Sequence, residues 1–255
     1  QQESTNVQAY DATLRARRLL IRFTRESTAQ ARKILEDVIA GNPESATAYI
    51  ELSRAHFNPW SYQWTESEDA LDQAIALARQ AIALDDQLPR AHTFLGHHLL
   101  YKNEHSDAIA ECERGIALDA NNAYGYAMLA DALNHVGRPD EEIGQLKKAM
   151  RLDPHAPATV VYHLAHAYFL SGMDLDALET IREAITLNPD FVFSQALLAI
   201  LYSELERPDE ATATAANLLR LSPHWSIDGY ARRRPYKDTA LLRREIEALR
   251  KAGLD

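Results

Sequence analysis

The sequence predicts an all-α protein made of stacked helical hairpins, and two observations carry that prediction. The first is a period of 34 residues that recurs along the chain. A fixed period of this length is typical of two-helix units that bury a shared apolar core against their neighbours. The second is composition, because 46% of the 255 residues are apolar and only nine are glycine. A single amphipathic helix repeats its apolar residues about every 3.6 positions, so the longer period favours a repeat array over a nonrepetitive bundle.

The period divides the chain into six copies and an ending. Four copies align without internal gaps, at residues 89–122, 123–156, 158–191 and 192–225. Two more divergent copies precede them, at residues 12–45 and 46–88. We therefore predict a repeat array over residues 1–225 and a C-terminal cap over residues 226–255.

Each copy repeats the same arrangement of large and small residues. A small residue follows a fixed leucine in five copies, which allows a second helix to approach closely; these leucines are Leu52, Leu95, Leu129, Leu164 and Leu198. An alanine occupies the position where the second helix crosses the first in five copies. Glu142 takes that position in the fourth copy, where a charge predicts a looser or solvent-reaching crossing.

This arrangement resembles the tetratricopeptide repeat family. The resemblance implies a right-handed solenoid of about six helical hairpins, closed by a C-terminal capping helix. It also implies that the first helix of each repeat lines a concave groove in which a partner is bound.

The family's register assigns particular side chains to the groove, and they are rich in aromatic residues and histidine. They are Arg54, Phe57, Arg90, Phe94, His97, Tyr101, Tyr124, Met128, Asp131, Asn134, Tyr162, His163, His166 and Phe193. A merely solvated helix face would be mostly Lys, Glu and Gln. We therefore expect an interaction scaffold for a protein or peptide, in cis or in trans. Binding of a small molecule or anion in the groove, and self-association into a homo-oligomer, stay open as alternatives.

The second copy is longer than the others, and the extra length falls in a tryptophan-rich elbow, residues 56–69. Trp60 and Trp64 lie within it. We favour an elbow that folds back and shields the edge of the repeat. The alternative is an aromatic lip on the groove, since tryptophan supplies a large contact area at little entropic cost.

The ending predicts a capping helix after a basic turn. Asp238 is a suitable N-cap, and Gly253 is a suitable terminator for a helix with an apolar stripe. The basic residues 232–234 and Lys237 come just before that helix. We interpret them as a solvated or salt-bridged turn, with contact to an anion or a phosphorylated partner as the alternative.

Composition and motifs argue against several functions. The net charge of −10 disfavours nucleic acid and anionic membrane surfaces as partners. The single cysteine, Cys112, cannot form an internal disulfide, which fits a cytoplasmic protein. The sequence contains no phosphate-binding glycine loop, nucleophile elbow or paired metal motif. We therefore expect no enzyme activity, no cofactor and no metal.

Three segments together suggest a more particular setting. Residues 9–43, the elongated second copy and residues 232–254 resemble the C-terminal repeat regions of bacterial class III adenylate cyclases and of related winged-helix regulators. The resemblance implies a regulatory region of a larger bacterial signalling protein. No cyclase catalytic residue or DNA-reading helix can be placed in this sequence.

Overall fold

The computed structural model describes residues 2–65, 67 and 69–255, with side chains from residue 7 onward; residues 1, 66 and 68, two of them in the elbow, lie outside the described residues. The described part of the chain contains fourteen helices and no strand. They are α1 (Gln2–Leu20), α2 (Arg25–Gly41), α3 (Ala46–Ser61), α4 (Asp69–Leu84), α5 (Pro89–Tyr101), α6 (His105–Leu118), α7 (Ala123–His135), α8 (Pro139–Leu152), α9 (Ala158–Leu170), α10 (Asp174–Leu187), α11 (Val192–Glu204), α12 (Pro208–Leu221), α13 (Ile227–Arg232) and α14 (Thr239–Lys251).

The helices pack as six consecutive hairpins. Each odd-numbered helix from α1 to α11 packs against the even-numbered helix that follows it, and each from α1 to α9 also packs against the next odd-numbered helix. The odd-numbered helices therefore form one continuous layer and the even-numbered helices form the other. This architecture confirms the predicted all-α solenoid of six helical pairs.

The turns inside the hairpins depend on residues that accept a left-handed backbone. Gly137 and Gly172 have φ angles of +79° and +72°, and Asn103 takes the equivalent place at +62°. Glycine adopts this conformation without the steric cost of a Cβ atom, and asparagine tolerates it better than most residues. These positions end α7, α9 and α5 and let the chain reverse.

Small residues set the distance between the two helices of a hairpin. Gly96 on α5 shows this most clearly, because a Cβ atom there would lie 2.6 Å from the Ala108 carbonyl oxygen and 2.7 Å from Cys112 Sγ. Cys112 is itself fully buried. The backbone of α6 therefore approaches α5 more closely than any side chain at position 96 would allow.

The crossing at Glu142 differs from the sequence prediction. Glu142 is 0% exposed, and Asn134 Nδ2 on α7 donates a hydrogen bond of 2.9 Å to Glu142 Oε1. The predicted solvent-reaching crossing is therefore wrong, because the facing helix supplies a polar partner inside the interface. Burial, together with the nearby Asp131 carboxylate, raises the pKa of Glu142 well above its usual range.

The array curves until its two ends meet across the concave side. The Phe23 ring, just after α1, lies 5.7 Å from the Phe191 ring, just before α11. Tyr62, in the elbow after α3, lies 5.0 Å from Phe193 of α11. Gln63, the next residue of the elbow, reaches the start of α13, where its Oε1 accepts a hydrogen bond of 3.1 Å from Ser226 N. The solenoid is therefore closed by its own side chains instead of open along one side.

Position 96 provides a test of the close approach between α5 and α6. We expect Gly96→Ala to reduce the free energy of unfolding by about 1–3 kcal/mol, because the added methyl group overlaps backbone that cannot move freely. Gly144→Ala is the matched control, since a Cβ atom at this exposed position in α8 meets nothing within 4 Å. Gly144→Ala should raise the free energy of unfolding by roughly 0.5–1 kcal/mol, because alanine is the better helix former. Denaturant unfolding monitored by circular dichroism measures both; equal changes in the two variants would contradict the packing argument.

Glu142 provides a test through pH. Its folded-state pKa is raised, so the unfolded chain releases this proton at lower pH than the folded chain, and stability falls as pH rises above about 4.5. Gln at this position keeps an acceptor for Asn134 and cannot ionise. We expect Glu142→Gln to raise Tm at pH 8 and to change it little at pH 4. Glu141→Gln, at an exposed neighbour, is the control. A lower Tm for Glu142→Gln at pH 8 would refute the assignment.

Candidate binding cavity

The chain places its own C-terminal segment, residues 232–237, in the concave groove. Tyr236 Oη donates a hydrogen bond of 2.7 Å to Glu245 Oε1 and lies 2.8 Å from His166 Nε2. Backbone bonds hold the same segment, since Lys237 N donates to the His135 carbonyl at 2.9 Å and His105 Nε2 donates to the Pro235 carbonyl at 2.7 Å. The groove surface of repeats four and five is therefore covered by the protein itself.

A buried carboxylate anchors this segment. Glu245, on α14, is 0% exposed and accepts hydrogen bonds from Tyr230 at 2.9 Å, from Tyr236 and from His166 at 2.8 Å. Burial alone would raise the pKa of Glu245, but the hydrogen bond from His166 and the charge of Arg234 outweigh it and lower the pKa to about 2. The carboxylate therefore stays ionised and binds all three donors.

A second polar cluster lies under the segment. Asp131 is 1% exposed, and its carboxylate lies 3.4 Å from His135 Nδ1, 3.4 Å from His163 Nδ1 and 3.9 Å from His97 Nε2. Burial lowers the pKa of His97 and of His135 to about 4, so both rings are neutral near pH 7. Among the described residues, no group of three or more His, Cys, Asp or Glu is arranged to hold a metal ion.

The groove residues predicted from the sequence fall into two sets. Asp131, Asn134 and His166 have partners within the chain and do not line the open space. The other eleven line a cavity of about 550 Å³ that the covered groove leaves open: Arg54, Phe57, Arg90, Phe94, His97, Tyr101, Tyr124, Met128, Tyr162, His163 and Phe193.

Three arginines that line this cavity meet on one buried carboxylate. Glu51, on α3, is fully buried and pairs with Arg54 at 2.5 Å, Arg17 at 2.8 Å and Arg90 at 2.8 Å. Burial alone would raise the pKa of Glu51, but the charges of Arg54, Arg90 and Arg17 outweigh it and lower the pKa to about 2. Three positive charges therefore surround a single negative one.

Aromatic rings lie against these arginines. The guanidinium carbons of Arg54 and Arg90 lie 4.7 Å and 5.1 Å from the centre of the Phe94 ring. The Tyr124 ring is 4.9 Å from Phe94. Cation–π contact of this kind holds a guanidinium in place while leaving its donors directed elsewhere.

The C-terminal segment adds two more arginines to the opposite side of the cavity. Arg234 Nη2 donates a hydrogen bond of 2.8 Å to Tyr162 Oη, and its guanidinium lies 4.4 Å from the Tyr230 ring. Arg233 is buried and donates to the Trp60 and Thr65 carbonyls. Of the two predicted alternatives, a solvated or a salt-bridged turn, the solvated one is wrong for these two residues, because elbow carbonyls bind Arg233 and the Tyr162 hydroxyl binds Arg234. Arg232 and Lys237 are exposed.

The elbow tryptophans lie outside the cavity lining. Trp60 is 2% exposed and sits in the last turn of α3, not in a loop as the sequence predicted. Its ring packs on Tyr101 at 5.7 Å. Trp64 is half-buried and packs on Tyr62 at 5.2 Å. Both indoles thus support the wall of the cavity, while Tyr62 itself lines it.

Several lining residues were missed from the sequence. Extending the groove register to the first copy, residues 12–45, would have found Arg17 and Phe23, which occupy the same register positions as Glu51 and Phe57. Arg233 and Arg234 had no such signal, because they follow the last repeat and reach the cavity only through the fold.

The cavity as a whole is cationic. Its lining contains six arginines: Arg17, Arg18, Arg54, Arg90, Arg233 and Arg234. No acidic residue is among the described residues that line it. The protein as a whole has the opposite balance, with a net charge of −10. In the part of the chain that the structure describes, no helix is both long and apolar enough to cross a membrane.

Comparison with known proteins agrees with this architecture. Family models described as tetratricopeptide repeat match residues 95–157 and 158–191. The putative adenylate cyclase 3 of Rhizobium meliloti (strain 1021) is 34% identical over 86 residues, which are 33% of this chain and 15% of that protein. The chain spans less than a third of the length of each curated relative it matches.

Solved structures show the same fold at low identity. The Cut9–Hcn1 hetero-tetramer of the APC/C has a TM-score of 0.64 and 17% identity, over 88% of this chain and 39% of that one. The human IFIT1 dimer with m7Gppp-AAAA has a TM-score of 0.68 and 17% identity, over 77% of this chain and 47% of that one. With its 34-residue period, its six helical hairpins and the two matching family models, the chain carries tetratricopeptide repeats.

Proposed function

We propose that the chain is an interaction module and that a partner protein docks over the mouth of the cavity and inserts a segment into it. The observation that carries this proposal is the combination of an apolar rim and a cationic interior. Ile21 and Leu187 line the cavity and are 55% and 54% exposed. Large apolar side chains exposed around a concave opening mark a surface that another molecule covers.

The interior has the composition of a strong binding site. Arginine and aromatic residues dominate the central contacts of protein interfaces because they combine a large contact area with directed hydrogen bonds. Arg54, Phe94 and Tyr162 are of these types, and their burial holds them in place before a partner arrives. Such preorganisation reduces the entropic cost of binding.

The context of the module is the second part of the proposal. The match to the putative adenylate cyclase 3 covers a small part of that protein. This supports the proposal that the chain is the regulatory region of a longer bacterial signalling protein. The partner is then either another domain of the same protein or a separate one. The proposed role is binding, and the chain contributes no catalytic group to it.

The rim provides the test. Peptides are selected from a random 12-residue library on the immobilised protein, and their affinities are measured by fluorescence polarisation. We expect the double variant Ile21→Glu/Leu187→Glu to lose at least about tenfold in affinity, because both apolar contacts are replaced by charge. Its Tm should stay unchanged, since both side chains are exposed.

Leu175→Glu is the matched control, because Leu175 is 74% exposed and does not line the cavity. Peptides that bind the rim variant as tightly as the wild type would refute the proposal. Equal losses in the rim variant and in Leu175→Glu would do the same.

A further inference from the structure

We propose that the part of the cavity beside Glu51 is a binding site for a planar anion, meaning an aromatic ring that carries a phosphate or carboxylate group. The site consists of Arg54, Asn58, Arg90, Phe94 and Tyr124, which we call the cavity floor. This inference rests on the proposed function, since it names the chemistry of the group that enters the cavity.

Charge on the floor is the first argument. Arg17, Arg54 and Arg90 share one carboxylate, Glu51, so two positive charges are left without a partner of opposite sign in that cluster. Arg54 is 8% exposed, and burial weakens the solvent screening of its charge. An anion at the floor would complete the neutralisation. Arginine suits phosphate and carboxylate because its planar fork donates two parallel hydrogen bonds.

Unused hydrogen-bonding atoms on the floor are the second argument. Asn58 is 7% exposed and lines the cavity, yet its side-chain Nδ2 has no hydrogen-bond partner. Arg90 Nε is also buried without a partner. Buried polar atoms in folded proteins are normally paired, so two unpaired atoms beside one cationic surface indicate a ligand with oxygen acceptors.

The aromatic walls give the third argument. Phe94 stands between the floor arginines and Tyr124, while Tyr62 and Tyr162 face the same space from the elbow and from α9. Aromatic rings prefer offset-stacked or edge-to-face contact with another ring. A cavity of about 550 Å³ lies within the range of small-ligand sites. One planar ring with its charged substituent fits this space, and a folded domain does not.

Substitutions at Glu51 and at its arginine partners should change the affinity for an anion in opposite directions. A bound anion and Glu51 compete for the same three guanidinium groups. Neutralising Glu51 should therefore strengthen anion binding, whereas removing an arginine should weaken it. A purely structural role for this cluster would make both changes harmful in the same direction.

The probe is 8-anilinonaphthalene-1-sulfonate, an aromatic anion whose fluorescence rises on binding. We expect one bound probe per chain. Arg90→Gln should weaken it by about tenfold, the usual effect of losing a hydrogen bond to a charged group, and Glu51→Gln should tighten it. Arg79→Gln, on the exposed face of α4, is the control and should bind as the wild type. The neutral analogue N-phenyl-1-naphthylamine should bind weakly and show no response to Arg90→Gln.

Arg90 is suited to this test because its side chain is 28% exposed. When the Arg90 guanidinium is removed, Glu51 still has Arg17 and Arg54 as partners. Thermal melting of each variant confirms that it folds. Equal binding of the charged and neutral probes would overturn the proposal, as would weaker binding by both Arg90→Gln and Glu51→Gln in chains with an unchanged Tm.

Competition with the fluorescent probe shows whether the anion belongs to a partner segment or to a free small molecule. Phenyl phosphate should displace the probe, and inorganic phosphate and phenol should each displace it less. Displacement by a 12-residue peptide that carries phosphotyrosine, and not by its unphosphorylated form, would place the anion on the partner segment, and displacement by phenyl phosphate alone would make it a free small molecule; both results support the site. Peptide binding at the rim without any probe binding would overturn this inference and leave the proposed function standing. Probe binding without any selected peptide would overturn the proposed function and leave the anion site.

Discussion

The concave side of this protein depends on one buried carboxylate. Glu245 accepts hydrogen bonds from Tyr230, Tyr236 and His166, which come from α13, from the C-terminal segment and from α9. Because it is fully buried, an unpaired carboxylate there would be very costly, so the three donors and the charge must be present together. This requirement fixes the C-terminal segment in the groove. It converts an open solenoid into one whose concave surface is partly filled.

The cavity follows from that arrangement. The C-terminal segment covers the groove of repeats four and five, and the elbow of repeat two reaches across to α11 and to Ser226. What stays open is lined by repeats one to three and the elbow on one side and by residues of repeats four to six, such as Tyr162 and Phe193, on the other. It collects six arginines in a protein with a net charge of −10. The distribution of charge, more than its total, therefore decides which molecules this surface attracts.

The repeat register explains which first-helix residues line the cavity. Phe94, Tyr124 and Tyr162 line the cavity because the period of the array forces their positions onto the layer of first helices. The register says nothing about what covers that layer. It therefore assigned Asp131 and His166 to a partner, although Asp131 lies within a cluster of histidines and His166 pairs with Glu245. Glu142 was misjudged for a related reason, since its partner Asn134 is contributed by the facing helix.

The sequence by itself determined the repeat unit, because residue size at fixed positions in a 34-residue period leaves one efficient way to pack helical hairpins. It also determined which helix of each pair faces the groove. Only the tertiary structure decided that the groove is closed and cationic. Contacts such as Arg233 with Trp60, or Gln63 with Ser226, join residues more than 160 positions apart. No local pattern encodes such pairs, since they form only when the small rotation between successive repeats has accumulated over the whole array.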